Sequence, residues 1–102
     1  MAERTLRILR EKVLSDCNPD AAFWLCHGTI IRNIYELANT IEAVSDLAFR
    51  YHVNDDNQKN DFAKWVREAL GDNQLAEKLE KIRDKRDYVE IIRRRIKELE
   101  AT

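Results

Sequence analysis

The chain has 102 residues, of which 44% are hydrophobic and 36% charged, so it holds enough apolar side chains for one core and one domain. Lysine and arginine number 18 against 19 acidic residues, which gives no overall field to attract nucleic acid or an anionic membrane. Two glycines and one proline are too few for Gly-rich phosphate loops or for the many turns of a sandwich or barrel. We therefore expect an all-α fold, a compact single-domain bundle of five to six short helices over residues 1–102.

The sequence also predicts the compartment. No apolar run approaches the roughly 20 residues of a membrane helix, and the charged first residues do not resemble a signal peptide. Cys17 and Cys26 are too few for a disulfide framework; one bridge between them stays open, although free thiols in a reducing cytosol fit better. We expect a cytoplasmic protein with no membrane association.

The N-terminal segment predicts an amphipathic helix over residues 3–15, and the central helical core follows over residues 19–82. The helix has one apolar stripe, formed by Leu6, Leu9 and Val13. Asn18 and Pro19 end it and begin the next segment, since proline disfavours a helical residue before it and suits a first helical position. The apolar residues 21–26 fit either a buried helical turn or an extended segment.

After Gly28 a wide apolar face predicts a long helix, with Asn33 as an alternative start because Glu36 follows three residues later. This helix ends or bends around Ser45 and Asp46. Its apolar face consists of Ile30, Ile31, Ile34, Leu37, Ala38, Ile41 and Val44.

Residues 54–60 contain no apolar side chain and form the clearest predicted loop. Asn60 or Asp61 then caps a helix that Gly71 closes, and Asp72 caps the next one. The apolar residues of these two helices are Phe62, Trp65, Val66 and Ala69 in the first and Leu75, Ala76, Leu79 and Ile82 in the second.

The apolar pattern loses its phase across residues 83–87, which favours a break over one continuous helix. Asp87 and Glu90 have the spacing of a capping box, so we expect a basic amphipathic helix over residues 87–100. The two terminal helices either pack on each other or offer their apolar stripes to a second subunit, and the second arrangement predicts a dimer.

The middle of the chain resembles an uncharacterised prokaryotic helical domain, the family called domain of unknown function 5752. The resemblance covers roughly residues 23–82, and its most specific part is Asn60-Asp61-Phe62 followed by Trp65. It implies a compact helical domain, found alone or appended to larger proteins, some of them similar to carbohydrate-active enzymes. It implies no activity, cofactor or catalytic residue. Cys26-His27 departs from the polar or acidic residue expected there. The remaining matches are Phe23, Gly28, Glu36-Leu37, Phe49, His52-Val53, Val66, Gly71-Asp72 and Leu75-Ala76.

The densest group of chemically versatile side chains flanks the polar loop. His52 and Asp61 would form an acid–base pair if they meet, with Asn60 beside them and Trp65 as a wall, giving a ligand or partner site. The structural interpretation carries more weight: Asn60 or Asp61 caps a helix, His52 bonds to backbone, and Trp65 packs in the core. A chain of this size rarely encloses a catalytic pocket, so we predict no catalytic residue.

The soft side chains give no metal-binding motif. Zinc sites present close ligand pairs such as Cys-x-x-Cys, whereas adjacent side chains on a regular element point in different directions. We therefore predict no metal site and no cofactor. The potential ligands considered were Cys17, Cys26, His27 and His52.

The basic cluster of the C-terminal helix includes Arg93, Arg94 and Lys97. Three consecutive arginines at 93–95 subtend about 200° of a helix, so they cannot share one face. Glutamates at helical spacing dilute the charge further, and a solvated face is the simpler interpretation. We expect a non-enzymatic interaction or regulatory module acting through a protein partner or self-association. The alternatives are nucleic-acid or anionic-surface binding through this helix and, third, a small-ligand site or enzyme around His52 and Asp61.

Overall fold

A side-chain cap begins every α-helix after the first. The computed structural model describes residues 2–26, 28–55 and 58–102. Within these ranges six α-helices follow one another, interrupted by a single 3-10 turn, Pro19–Ala21, and four short strands. The helices are α1 (Ala2–Val13), α2 (Ile34–Ala43), α3 (Asp46–His52), α4 (Asp61–Trp65), α5 (Asn73–Glu80) and α6 (Lys85–Glu100), and α4 continues as a π-helical turn over Val66–Leu70.

Several predicted caps are confirmed. Asn33 begins α2 by accepting the N–H of Glu36 at 2.8 Å, so the alternative start was the correct one. Asn60 caps α4, and Asp72 caps α5. Gly71 ends the preceding turn with φ at +76°, a left-handed conformation that favours glycine.

One predicted boundary is confirmed and another is wrong. Ser45 accepts the N–H of Ala48 at 3.1 Å, so of the two alternatives at Ser45 and Asp46 the first holds: the helix ends there and a separate helix begins. The break before the last helix is confirmed, but its cap is Asp84, which accepts the N–H of Asp87 at 3.1 Å. The C-terminal helix therefore begins at Lys85 rather than at residue 87, because an aspartate one turn earlier supplies the acceptor.

The expected all-α fold needs a correction, since two small antiparallel sheets lie between the helices. Strands β1 (Phe23–Trp24) and β2 (Ile30–Ile31) pair with Phe23 opposite Ile31. Strands β3 (Val53–Asn54) and β4 (Lys59–Asn60) pair with Val53 opposite Asn60. The predicted helix after Gly28 thus starts with extended residues, and both ends of the predicted polar loop are strand residues; Asp56 and Asn57 lie outside the described residues.

The core lies where α6 meets α2, α5 and α1. An aromatic group at its centre joins three helices: the ring of Phe49 lies 5.2 Å from that of Tyr88 and 6.2 Å from that of Phe62. α1 contributes the fully buried Val13 and packs on α6, which is one of the two arrangements expected for the terminal helices. Other residues with no exposed surface include Ile31, Ile34, Leu37, Ile41, Leu79, Ile92 and Leu99.

A buried ion pair fixes α6 against the start of α5. Arg95 is 4% exposed and Asp72 is completely buried. The guanidinium Nε and Nη2 of Arg95 donate to the two carboxylate oxygens of Asp72 at 2.7 and 3.1 Å. Arg95 also bonds to Glu98. Burial opposes the charge of Arg95, but hydrogen bonding and charge attraction from Asp72 and Glu98 outweigh it and raise the pKa of the guanidinium.

We expect Arg95→Met to lower the free energy of unfolding by about 3–5 kcal/mol, because it leaves the Asp72 carboxylate buried without a counter-ion. Adding Asp72→Asn removes that charge while keeping an oxygen for the Leu75 N–H, so the double variant should be more stable than Arg95→Met. Arg94→Met, which breaks only an exposed pair with Glu90, should cost less than about 1 kcal/mol. Chemical denaturation measures all three; equal losses for Arg94→Met and Arg95→Met would contradict the assignment.

Candidate functional site

His52 and Asp61, the predicted acid–base pair, do meet. His52 is the last residue of α3 and Asp61 the first of α4, and Nδ1 of the imidazole lies 2.9 Å from Oδ2 of Asp61. The other ring nitrogen, Nε2, accepts the backbone N–H of Cys26 at 3.1 Å. Because Nε2 accepts, Nδ1 carries the proton and donates to the carboxylate. One neutral tautomer of His52 therefore joins the β1–β2 turn to the start of α4.

The surroundings of His52 leave the imidazole enclosed. Its side chain is 6% exposed, and the ring lies 5.2 Å from the rings of both Phe23 and Phe62. Tyr51 covers another side with its ring at 4.9 Å. General acid–base catalysis needs a ring nitrogen within reach of a substrate proton. Both nitrogens of His52 are already bonded to groups of the chain, so the geometry serves to hold two segments together.

Asn60 is bonded through each atom of its side-chain amide. Its Oδ1 accepts the N–H of Ala63 at 3.2 Å and the hydroxyl of Tyr88 at 2.6 Å. Its Nδ2 donates to the carbonyl of Leu79 at 2.9 Å. A residue predicted to cap one helix therefore also joins α5 and α6. Tyr88 is fully buried at this junction, and that burial raises the pKa of its phenol well above the ordinary value of 10.0.

Trp65 lies in the core. Its indole Nε1–H donates to the carbonyl of Ala21 at 2.6 Å, and its ring contacts Phe23 edge-on at 6.1 Å. The tryptophan thereby holds the 3-10 turn at Pro19–Ala21 against α4. It does not line the surface depression of about 440 Å³ beside β4, which Asn60 and Asp61 do line. The structure thus joins His52 to Asp61, places Asn60 and Asp61 at the surface depression, and buries both His52 and Trp65.

Three of the four potential metal ligands named from the sequence lie within the described residues. Cys17 and Cys26 are free thiols, so the bridge left open by the sequence is absent. His27 lies outside the described residues. Within residues 2–26, 28–55 and 58–102, no three histidine, cysteine, aspartate or glutamate side chains are grouped as metal ligands would be.

The basic residues of α6, which the sequence marked as an alternative binding surface, border a groove that the sequence did not predict. The groove lies between α6 and the end of α2, encloses about 670 Å³, and contains Arg93, Arg94 and Lys97. Arg95, the third consecutive arginine, points into the core, which confirms that the three cannot share a face. The remaining lining residues are Glu42, Lys85, Arg86, Val89 and Glu90. Spacings of seven and eleven residues from Arg86 to Arg93 and Lys97 were the available signal.

The charges in this groove are unevenly satisfied. Arg93 donates to Glu42 at 3.0 Å and to Asn39 at 3.1 Å, and Arg94 pairs with Glu90 at 2.9 Å. Nζ of Lys85 donates to the carbonyl of Val44 at 2.6 Å, just beyond the end of α2. Arg86 and Lys97 are exposed and make no hydrogen bond or ion pair with any residue that the structure describes.

The fold and the sites described above define a small, mostly helical domain with two short hairpins and a basic groove. The model of the family described as "Family of unknown function (DUF5752)" matches residues 21–101, so the chain belongs to this family. The match extends the resemblance of residues 23–82 over the whole of α6. No curated protein and no solved structure matched the chain. Among the described residues, every helix is too short or too polar to cross a bilayer.

We expect the free energy of unfolding to fall as the pH rises above about 10, and we expect this loss to be smaller in the Tyr88→Phe variant. The folded-state pKa of Tyr88 lies above its unfolded value of about 10, so this contribution is complete below pH 10 and is lost as the pH rises through the folded-state pKa. Unfolding free energies at several pH values between about 8 and 11 should diverge by up to about 1.4 kcal/mol per pH unit. Parallel curves for the two proteins would rule out the effect.

We also expect Asp61→Ala to lower the free energy of unfolding by about 1–2 kcal/mol, since Nδ1–H of His52 loses its charged acceptor. Asp61→Asn retains an oxygen there and should cost less. The matched control is Asp55→Ala in the hairpin that precedes Asp61; among the described residues, its exposed carboxylate pairs with Arg83 alone. In the unaltered protein, 15N NMR should show His52 protonated at Nδ1 and unprotonated at Nε2; the opposite tautomer would invalidate the proposed bonding.

Proposed function

We propose that this protein is a non-enzymatic interaction module of the prokaryotic cytoplasm that binds a partner protein through the groove between α6 and α2. The observation that carries the proposal is the groove itself: a concave space of about 670 Å³ with charged walls and the apolar side chain of Val89. Concave surfaces that combine apolar and charged groups are typical of binding sites. A partner that pairs with Arg86 and Lys97 would satisfy charges that no described residue of the chain pairs.

The use of His52 and Asp61 supports a non-enzymatic role. Both nitrogens of the imidazole are bonded within the chain, and aromatic rings enclose it. A catalytic histidine exchanges protons with a substrate, and here each exchange would break a bond that holds the fold. The proposal therefore assigns these residues to stability and places binding elsewhere.

Self-association is another form of the same function. Leu47 is 82% exposed and Tyr51 58% exposed, and they lie one turn apart on α3. They border an apolar depression of about 480 Å³ that also contains Cys26. Stable protein–protein interfaces typically bury roughly 1,200–2,000 Å² of surface. Two exposed side chains supply a small part of that area, which is enough for a transient contact only. A partner protein in the larger groove is therefore the preferred interpretation.

Photo-crosslinking in the cells that produce the protein tests the proposal. A photoreactive amino acid is placed at position Glu90, inside the groove, and in a separate protein at position Lys81, an exposed residue outside it. We expect a discrete protein adduct from position 90 only, and its loss when Arg86→Glu and Lys97→Glu are added. Equal crosslinking from both positions, or an adduct that survives both charge reversals, would refute binding in the groove.

A further inference from the structure

We propose that the occupant of the groove is an acidic peptide segment of the partner that carries an apolar anchor residue, an inference that rests on the proposed function. The groove contains five cationic side chains and two carboxylates. Such an excess of positive charge favours an anionic ligand. The distribution of the charges and the position of Val89 specify the ligand more narrowly.

The unpaired cations set the spacing of the ligand charges. Arg86 and Lys97 are eleven residues apart on one helix, which places them about 16 Å apart along its axis. Arg93 lies between them, seven residues after Arg86, on the same face. Its guanidinium is directed by Glu42 and Asn39 and is itself partly exposed. A peptide with aspartate or glutamate side chains at both ends of a segment of this length would pair with the two free cations.

The apolar part of the groove specifies the anchor. Val89 lies between Arg86 and Arg93 in the sequence of α6 and is the one apolar side chain among the lining residues; it belongs to the core and exposes 8% of its surface at the floor of the groove. Long cationic side chains also present their methylene stems to a ligand while their charged ends stay in water. An apolar residue between the acidic groups of the ligand would lie against Val89 and these stems. At one end of the groove, Nζ of Lys85 donates to the carbonyl of Val44 and so joins the start of α6 to the end of α2.

The carboxylates in the groove favour a peptide over a nucleic acid. Glu42 and Glu90 lie among the cations and are paired with Arg93 and Arg94. A phosphate backbone presents closely spaced charges that would meet both carboxylates, and like charges in close contact are unfavourable. A peptide places its few acidic side chains only where cations are free. Arg95 adds nothing to the groove, because Asp72 holds it in the core.

The inference is tested with defined ligands and fluorescence anisotropy on the full chain. The first probe is a labelled peptide of about 15 residues, composed of glutamate and alanine with one central leucine, which spans about 22 Å if helical. Two further peptides replace the leucine by serine or every glutamate by lysine. The remaining probes are single- and double-stranded DNA that carry the same charge as the first peptide. The protein variant is Arg86→Glu with Lys97→Glu. Its matched control is Lys64→Glu with Lys81→Glu, an equal charge change on exposed residues outside the groove.

We expect the acidic leucine peptide to bind, with at least tenfold weaker binding to the groove variant and less than about a twofold change for the control. The serine peptide should bind several-fold more weakly, and the lysine peptide should not bind. Circular dichroism and thermal unfolding verify that both variants fold. Groove-dependent DNA binding that is tighter than peptide binding, with a steep salt dependence, would overturn the inference in favour of nucleic acid.

The peptide-binding experiment tests the inferred ligand, and the crosslinking experiment tests the proposed function, so the two can be refuted separately. If the acidic peptide does not bind but position Glu90 still yields a groove-dependent protein adduct, the inferred ligand is wrong and the proposed function stands. If both experiments fail, the proposed function falls with the inference. Equal weakening of peptide binding by the groove variant and by the control would show that only the net charge of the protein matters, and that result also overturns the inference.

Discussion

The buried ion pair of Asp72 and Arg95 is the contact on which the orientation of α6 depends. Asp72 has no exposed surface and also caps α5, so its carboxylate serves two elements at once. A charge in the interior is stable only when it is paired and fully hydrogen-bonded. This requirement turns Arg95 inward, in the same rotation of α6 that buries Tyr88, Ile92 and Leu99. Arg93, Arg94 and Lys97 consequently line the groove.

Buried and half-buried polar residues of this protein form hydrogen bonds between segments that are distant in the sequence. His52 links the β1–β2 turn to α4, and Asn60 links the start of α4 to α5 and to Tyr88 on α6. Each of these bonds satisfies a polar group that burial would otherwise leave unpaired. The side chains of His52, Asn60 and Asp61, which looked most chemically versatile in the sequence, thus form hydrogen bonds that join parts of the fold. The groove along α6, by contrast, contains charges that are only partly paired, which is why we propose it as the binding surface.

Local signals in the sequence predicted part of the fold and less of the site. The caps at Asn33, Asn60 and Asp72 and the left-handed turn at Gly71 could be predicted because each depends on residues within one helical turn. The strand at Phe23–Trp24 stayed one of two open alternatives, because an apolar run as short as residues 21–26 fits a helix and a strand equally well, and the other three strands were not predicted. The pairing of His52 with Asp61 was predicted as a possibility, nine residues apart across a hairpin. Its bond to Cys26 joins residues 26 positions apart, a contact that no local pattern indicates.

The sequence by itself determined a mostly helical fold, the caps that begin α2, α4 and α5, and membership of a family whose residues it shares. These properties follow from composition, from periodicity and from side chains that bond to nearby backbone. Only the tertiary structure decided which arginine of three is buried, that aromatic rings enclose the imidazole of His52, and that a groove runs along α6 beside the end of α2. The physical reason is that the free energy of a charged or polar side chain depends on partners brought near by folding, and those partners are distant in the sequence.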